Sequence, residues 1–115
     1  MAAKIQFLQK PSCTTCRKAK AMLQEMKIDF VSRDLDKEKL SEGELEKLIG
    51  KREYKDFLNT RNELFRERNM KEKPPTRAEA IKLMAKAPNL IRRPILLYGD
   101  QILLGFDENA YRKLF

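Results

Sequence analysis

Ile5-Gln-Phe-Leu-Gln-Lys-Pro-Ser-Cys13-Thr-Thr-Cys16-Arg-Lys-Ala-Lys-Ala-Met-Leu-Gln-Glu-Met26 is the stretch that decides the fold. The apolar run at 5–8 stops before Pro11 and reads as a short buried strand. Beyond the cysteines, Ala19, Met22, Leu23 and Met26 recur at i, i+3, i+4 and i+7, the spacing that lines one face of a helix. Residues 28–31, Ile-Asp-Phe-Val, read as a second strand. Strand, cysteine loop, helix, strand is a βαβ unit.

Working outward, the middle of the chain is helical and charged. Ser41 with Glu44, Thr60 with Glu63, and Thr76 with Glu79 each match the pattern in which an N-cap hydroxyl is answered by a carboxylate three residues on. Pro74-Pro75 separates the second of these segments from the third, and Pro88 ends the third. The last quarter changes character. Residues 95–98, Ile-Leu-Leu-Tyr, and 101–104, Gln-Ile-Leu-Leu, flank Gly99-Asp100 and predict a β-hairpin. Asp107 is placed to cap a terminal helix carrying Ala110, Leu114 and Phe115. The order is βαβ, helices, ββα. That is an α/β, thioredoxin-like order with a four-stranded mixed sheet, one domain over 1–115, and a helical insertion at about 40–88.

Composition bounds the function. The chain has 115 residues, 25 Lys and Arg against 17 Asp and Glu, and a net charge of +8. Such an excess attracts anions in general: nucleic acid, glutathione, oxyanions or acidic protein patches. The charges are spread over every predicted helix and interleaved with carboxylates, which favours a solvated surface over a direct DNA-binding face. Histidine is absent, which removes Cys-His and Ser-His hydrolases and mixed Cys/His zinc sites within one chain. The first eight residues hold no signal-peptide core, and no apolar run approaches a membrane span, so a cytoplasmic protein is expected.

The two cysteines, Cys13 and Cys16, are the whole cysteine complement. A disulfide between them closes a very small loop, which stabilises a fold least. Switching between oxidised and reduced states is the better use. At a helix N-terminus, unpaired N–H groups and the helix dipole favour a thiolate, and Arg17, Lys18 and Lys20 add positive charge nearby. Cys13 is therefore the expected nucleophile and Cys16, one turn on, the resolving thiol. Half of an intermolecular zinc site and a pair of inert buried thiols stand as the alternatives. Pro94, after Arg92-Arg93, is either a cis proline facing the cysteines or an ordinary strand-start proline. Arg61 is either a solvated surface arginine or a clamp over the Cys13 thiolate.

Pro11-Ser-Cys-Thr-Thr-Cys-Arg-Lys-Ala, Arg61, Leu90-Ile-Arg-Arg-Pro-Ile and Leu104-Gly-Phe-Asp-Glu, in that order, resemble the ArsC/Spx family. That group takes in glutaredoxin-coupled arsenate reductases, YffB-like proteins and Spx-type transcriptional regulators. The resemblance implies that Cys13 matches the reductases' catalytic cysteine and that Arg61 and Arg93 match two of their oxyanion-binding arginines. A third such arginine is expected near Gly105 and is missing, and those reductases lack a cysteine at the position of Cys16. Cys-x-x-Cys and Gly105-Phe106 look more like the Spx and YffB-like branches. The segment Lys51-Arg-Glu-Tyr-Lys-Asp-Phe-Leu-Asn-Thr departs from the Spx pattern, and the chain stops directly after its terminal helix. Both departures weigh against the regulator reading.

The leading expectation is a thiol-disulfide oxidoreductase with no bound cofactor or metal, drawing electrons from glutathione or another thiol. The alternative the resemblance implies is a redox-sensing regulator that binds the C-terminal domain of the RNA polymerase α subunit. A weaker alternative is arsenate reduction.

Overall fold

The computed structural model describes residues 5–115. Their order is β1 (Ile5–Gln9), α1 (Thr14–Glu25), β2 (Val31–Asp34), α2 (Glu42–Ile49), α3 (Glu63–Glu67), α4 (Arg77–Lys86), β3 (Ile95–Tyr98), β4 (Gln101–Leu104) and α5 (Glu108–Leu114), with 3-10 turns at Tyr54–Phe57 and Pro88–Leu90. The chain forms two compact units. One runs to Glu38 and resumes over Arg93–Phe115; the other is Lys39–Arg92.

In the first unit the strands form a mixed sheet in the order β2-β1-β3-β4. β1 is parallel to β2, with Gln6 opposite Val31 and Gln9 opposite Asp34. It is antiparallel to β3, with Ile5 opposite Tyr98 and Leu8 opposite Ile95. β3 and β4 form the expected hairpin, Ile95 opposite Leu104. Gly99 in its turn sits at φ 59°, which glycine adopts without steric cost. Phe7 and Leu96 from the sheet, Ala19, Met22 and Leu23 from α1, and Tyr111 from α5 make one buried cluster. The helical stripe read from the sequence is thus the face of α1 that meets the sheet.

The second strand lies later than residues 28–31. α1 ends in a helix stop in which Lys27 takes φ 57°. There the N–H groups of Lys27 and Ile28 donate to the carbonyls of Gln24 and Leu23, both at 3.0 Å. Ile28 is committed to closing the helix and, with Phe30, to covering the core. Strand pairing therefore begins only at Val31.

In the Lys39–Arg92 unit, Ser41 and Glu44 make the full reciprocal cap of α2, each bond 3.1 Å. Thr76 Oγ1 accepts from the Glu79 N–H at 3.2 Å and caps α4. Thr60 does not cap α3. Asn62 takes that role, its Oδ1 accepting from the Leu64 N–H at 2.9 Å. Asparagine is an equally good cap and stands directly before the helix, whereas Thr60 is two residues too early. The Tyr54 hydroxyl donates to the Pro75 carbonyl at 2.8 Å, and Arg77 pairs with Glu46 at 2.6 Å. No helix among the described residues is long and apolar enough to cross a membrane.

Candidate functional site

The cysteine loop is built by the transition from β1 to α1. The strand ends at Gln9, and the Cys13 N–H donates back to the Lys10 carbonyl at 2.9 Å, closing a tight turn over Pro11 and Ser12. Cys13 is the N-cap of α1, with extended backbone at φ −82° and ψ 121°. Its carbonyl accepts the first helical bond, from the Arg17 N–H at 3.0 Å. Its sulfur does what a capping serine oxygen does elsewhere: Sγ accepts from the Cys16 N–H at 3.4 Å. A thiolate is a better acceptor than a thiol, so the cap itself favours ionised Cys13. Cys13 is half-buried, while Cys16, one turn on, is fully buried.

The electrostatics differ between the two sulfurs. Partial burial works against charge on Cys13, but the Cys16 N–H and thiol, the Arg93 guanidinium and the Thr15 backbone outweigh it, and the Cys13 pKa is lowered from 9.0. For Cys16, burial dominates. The Lys10 backbone and Arg93 pull the other way, while its hydrogen bond to Cys13 and the Cys13 charge add to burial, so the thiol is pushed up to about 12. The arrangement divides the pair into one thiol that ionises more readily and one that keeps its proton.

Arg93 lies two residues before β3 and supplies charge to both sulfurs. The Arg93–Pro94 peptide is cis, and Pro94 is buried. The Pro94 carbonyl accepts from the Gly105 N–H at 2.8 Å, and Gly105 sits at φ 74°. Of the other predicted residues, Arg17 is exposed, with Nη2 donating to the Ser12 carbonyl at 3.4 Å. It is not among the groups that shift Cys13. Arg61 belongs to the Lys39–Arg92 unit and is exposed, its backbone N–H held by Asn59 Oδ1 at 3.1 Å. Among the described residues no cluster of acidic or cysteine side chains is arranged to hold a metal.

Sequence reasoning passed over Tyr111. It is fully buried in α5, whereas Ala110 and Leu114 are half-buried and Phe115 is exposed. The available signal was its position four residues after the cap Asp107 and three before Leu114, which puts it on the inward stripe.

Comparison with known proteins places this arrangement among relatives. The model of the ArsC family matches residues 8–114. The global transcriptional regulator Spx of Streptococcus pneumoniae strain R6 is 34% identical over 104 residues, covering 89% of this chain and 78% of the relative. Spx of Bacillus subtilis strain 168 is 32% identical over 105 residues, covering 90% and 80%. Among solved structures, an ArsC family related protein from Bacteroides fragilis superposes with a TM-score of 0.84 at 31% identity over 100% of both chains. A protein from Streptococcus mutans UA159 described as a possible arsenate reductase gives 0.81 at 31%, covering 97% of this chain and 98% of that one.

Proposed function

The chain belongs to the ArsC family, and from that premise we propose that it is a thiol-disulfide exchange protein working through Cys13 and Cys16. The observation that carries the reading is the split between the two sulfurs: Cys13 caps a helix with its pKa lowered, and Cys16 is buried one turn away with its pKa raised. The Cys13 thiolate attacks a disulfide R–S–S–R′. A Cys13–S–S–R bond forms and R′–S⁻ leaves with the electron pair. Cys16 then attacks Cys13 Sγ, closing the Cys13–Cys16 disulfide and releasing R–SH. Arg93 holds negative charge at the sulfurs throughout. Glutathione, an anionic thiol, suits this basic setting as electron donor.

Arsenate reduction is the weaker enzymatic reading. The position near the third oxyanion arginine is Gly105, whose backbone lies in the left-handed region. An oxyanion site short of one guanidinium loses a charge-assisted bond.

A second reading has its own support. The Spx relatives, at 34% identity over 89% of this chain, are transcriptional regulators. In that reading the same cysteine pair is a switch that governs binding to the RNA polymerase α subunit.

The test is mixed-disulfide trapping with Cys16→Ser. Exchange predicts a persistent adduct on Cys13 with glutathione or particular protein thiols. A variant that traps nothing, beside wild-type protein that retains the α subunit in one redox state only, would assign the pair to a regulator.

A further inference from the structure

β4 is an edge of the sheet: among the described residues it pairs with β3 alone. The bond from the Gly105 N–H to the Pro94 carbonyl sets the alternation along the hairpin. Gln101 and Leu103 turn their backbone groups toward β3, and Ile102 and Leu104 turn theirs outward. Exposed edges are ordinarily guarded by charge, proline or a bulge. β2, at the opposite edge, carries Arg33 and Asp34. Gln101-Ile-Leu-Leu104 has no charge and no proline, and its register with β3 is unbroken. The helix beside this edge has a direction and a polarity. α5 begins just past the end of β4, and Phe115 at its far end meets Tyr98 edge-on at 5.6 Å. Tyr98 stands opposite Gln101, the first residue of β4, so α5 runs back antiparallel to β4. It starts with Asp107 and Glu108 and ends with Arg112 and Lys113. Arg112 is paired with Glu108 inside the helix at 2.8 Å, which leaves Lys113 as the cation it presents outward. Phe115 is 39% exposed.

We propose that β4 is a self-association edge that takes β4 of a second copy of this chain in antiparallel register. With Leu103 opposite the partner's Leu103, the outward N–H and C=O of Ile102 meet those of the partner's Leu104, and the reverse. One edge thus satisfies the other about a two-fold axis. That axis is normal to the sheet, so both α5 helices lie on one face and run antiparallel. The acidic start of each helix then stands toward the basic end of the other. At ~4.8 Å per strand the helices are about 14 Å apart, a gap that long side chains span. Charge therefore selects the antiparallel arrangement, and the backbone bonds hold it. The strand is four residues long, which makes a weak, reversible dimer at the small end of interface sizes. The +8 charge on each copy opposes association at long range, where salt screens it.

The experiment is sedimentation velocity of the full chain at rising concentration with a thiol reductant present. Wild type is expected to move from monomer toward twice the monomer mass. Ile102→Pro removes one outward N–H and keeps every bond to β3, and the residue before it is already extended. Symmetry counts the loss twice, so dissociation should rise about tenfold or more. Lys113→Glu replaces an attraction with a repulsion at an exposed site and should weaken the dimer about two- to tenfold. Register is read by cross-linking with diamide in a Cys13→Ser, Cys16→Ser background. Leu103→Cys should join covalently, because residue 103 meets itself in a non-hydrogen-bonded pair with Cα atoms ~4.5 Å apart. Gln101→Cys, out of register with itself, should stay monomeric. A wild type that sediments as monomer at every concentration overturns the proposal. So does a dimer that Ile102→Pro leaves intact, or one that Gln101→Cys cross-links as fast as Leu103→Cys. With the thiols reduced or replaced by serine, these outcomes are independent of whether Cys13 and Cys16 exchange disulfides.

Discussion

Alkylation of the reduced protein by iodoacetamide at neutral pH should modify Cys13 far faster than Cys16. Cys16 is held at about 12 and Cys13 below 9.0, so their thiolate fractions differ by ~1000-fold or more. A lower pKa also makes a weaker nucleophile, with a logarithmic slope of about 0.4–0.5, which returns roughly half of that advantage on a logarithmic scale. About 30-fold in rate remains before access is counted. Access acts in the same direction, since Cys13 is half-buried and Cys16 fully buried. Initial rates are read by tandem mass spectrometry, because both cysteines fall in one tryptic peptide. The midpoint of the Cys13 rate–pH profile should lie below pH 9.0, while the Cys16 rate keeps rising toward pH 12. Rates within about threefold of each other, where about 30-fold is expected, would refute the claim that cap, burial and Arg93 divide the two thiols.

Three further outcomes follow from the same structure. Asp107→Ala removes the acceptor for the Asn109 and Ala110 N–H groups at 3.0 and 3.3 Å; the loss is about 1 kcal/mol by urea titration, and an unchanged midpoint would contradict the capping role. Phe7→Ala empties the centre of the cluster shared by sheet, α1 and α5 and should cost about 3–5 kcal/mol, read as lowered Tm. Stability should also follow pH through the reduced cysteines. Cys16 has its folded pKa raised to about 12 from 9.0, so its contribution is complete below 9.0 and is lost as pH climbs toward 12. Cys13, with its folded pKa lowered, contributes above 9.0 and loses that contribution as pH falls through the lowered value. Urea titrations of Cys16→Ala should show a shallower alkaline decline than wild type; parallel curves would contradict the burial effect.

The elements legible in the sequence are those specified locally. The hairpin followed from two apolar tetrads around Gly99-Asp100, and the α1 stripe from helical spacing. Ser41, Thr76 and Asp107 cap helices because a cap needs only its own next turn. The errors arose where local signals competed. Ile28 and Phe30 look like strand residues but serve the helix stop and the core, a choice fixed by Lys27 at φ 57°. Thr60 matched the capping pattern, while Asn62, nearer the helix, took the N–H. At the site, Cys13 and Cys16 were readable because spacing and helix polarity bear on them directly. The nearness of Arg93 to the sulfurs rests on β3 pairing with β1, a long-range contact that no local pattern encodes.

The central claim is tested most directly by equilibrating the protein in buffers of defined reduced-to-oxidised glutathione ratio, acid-quenching, and weighing the intact chain. The account predicts a reversible transition between the dithiol and a species lighter by two hydrogens, with the bond mapped to Cys13 and Cys16. A chain that stays a dithiol, or that accumulates glutathione on Cys13 without closing to Cys16, would contradict it.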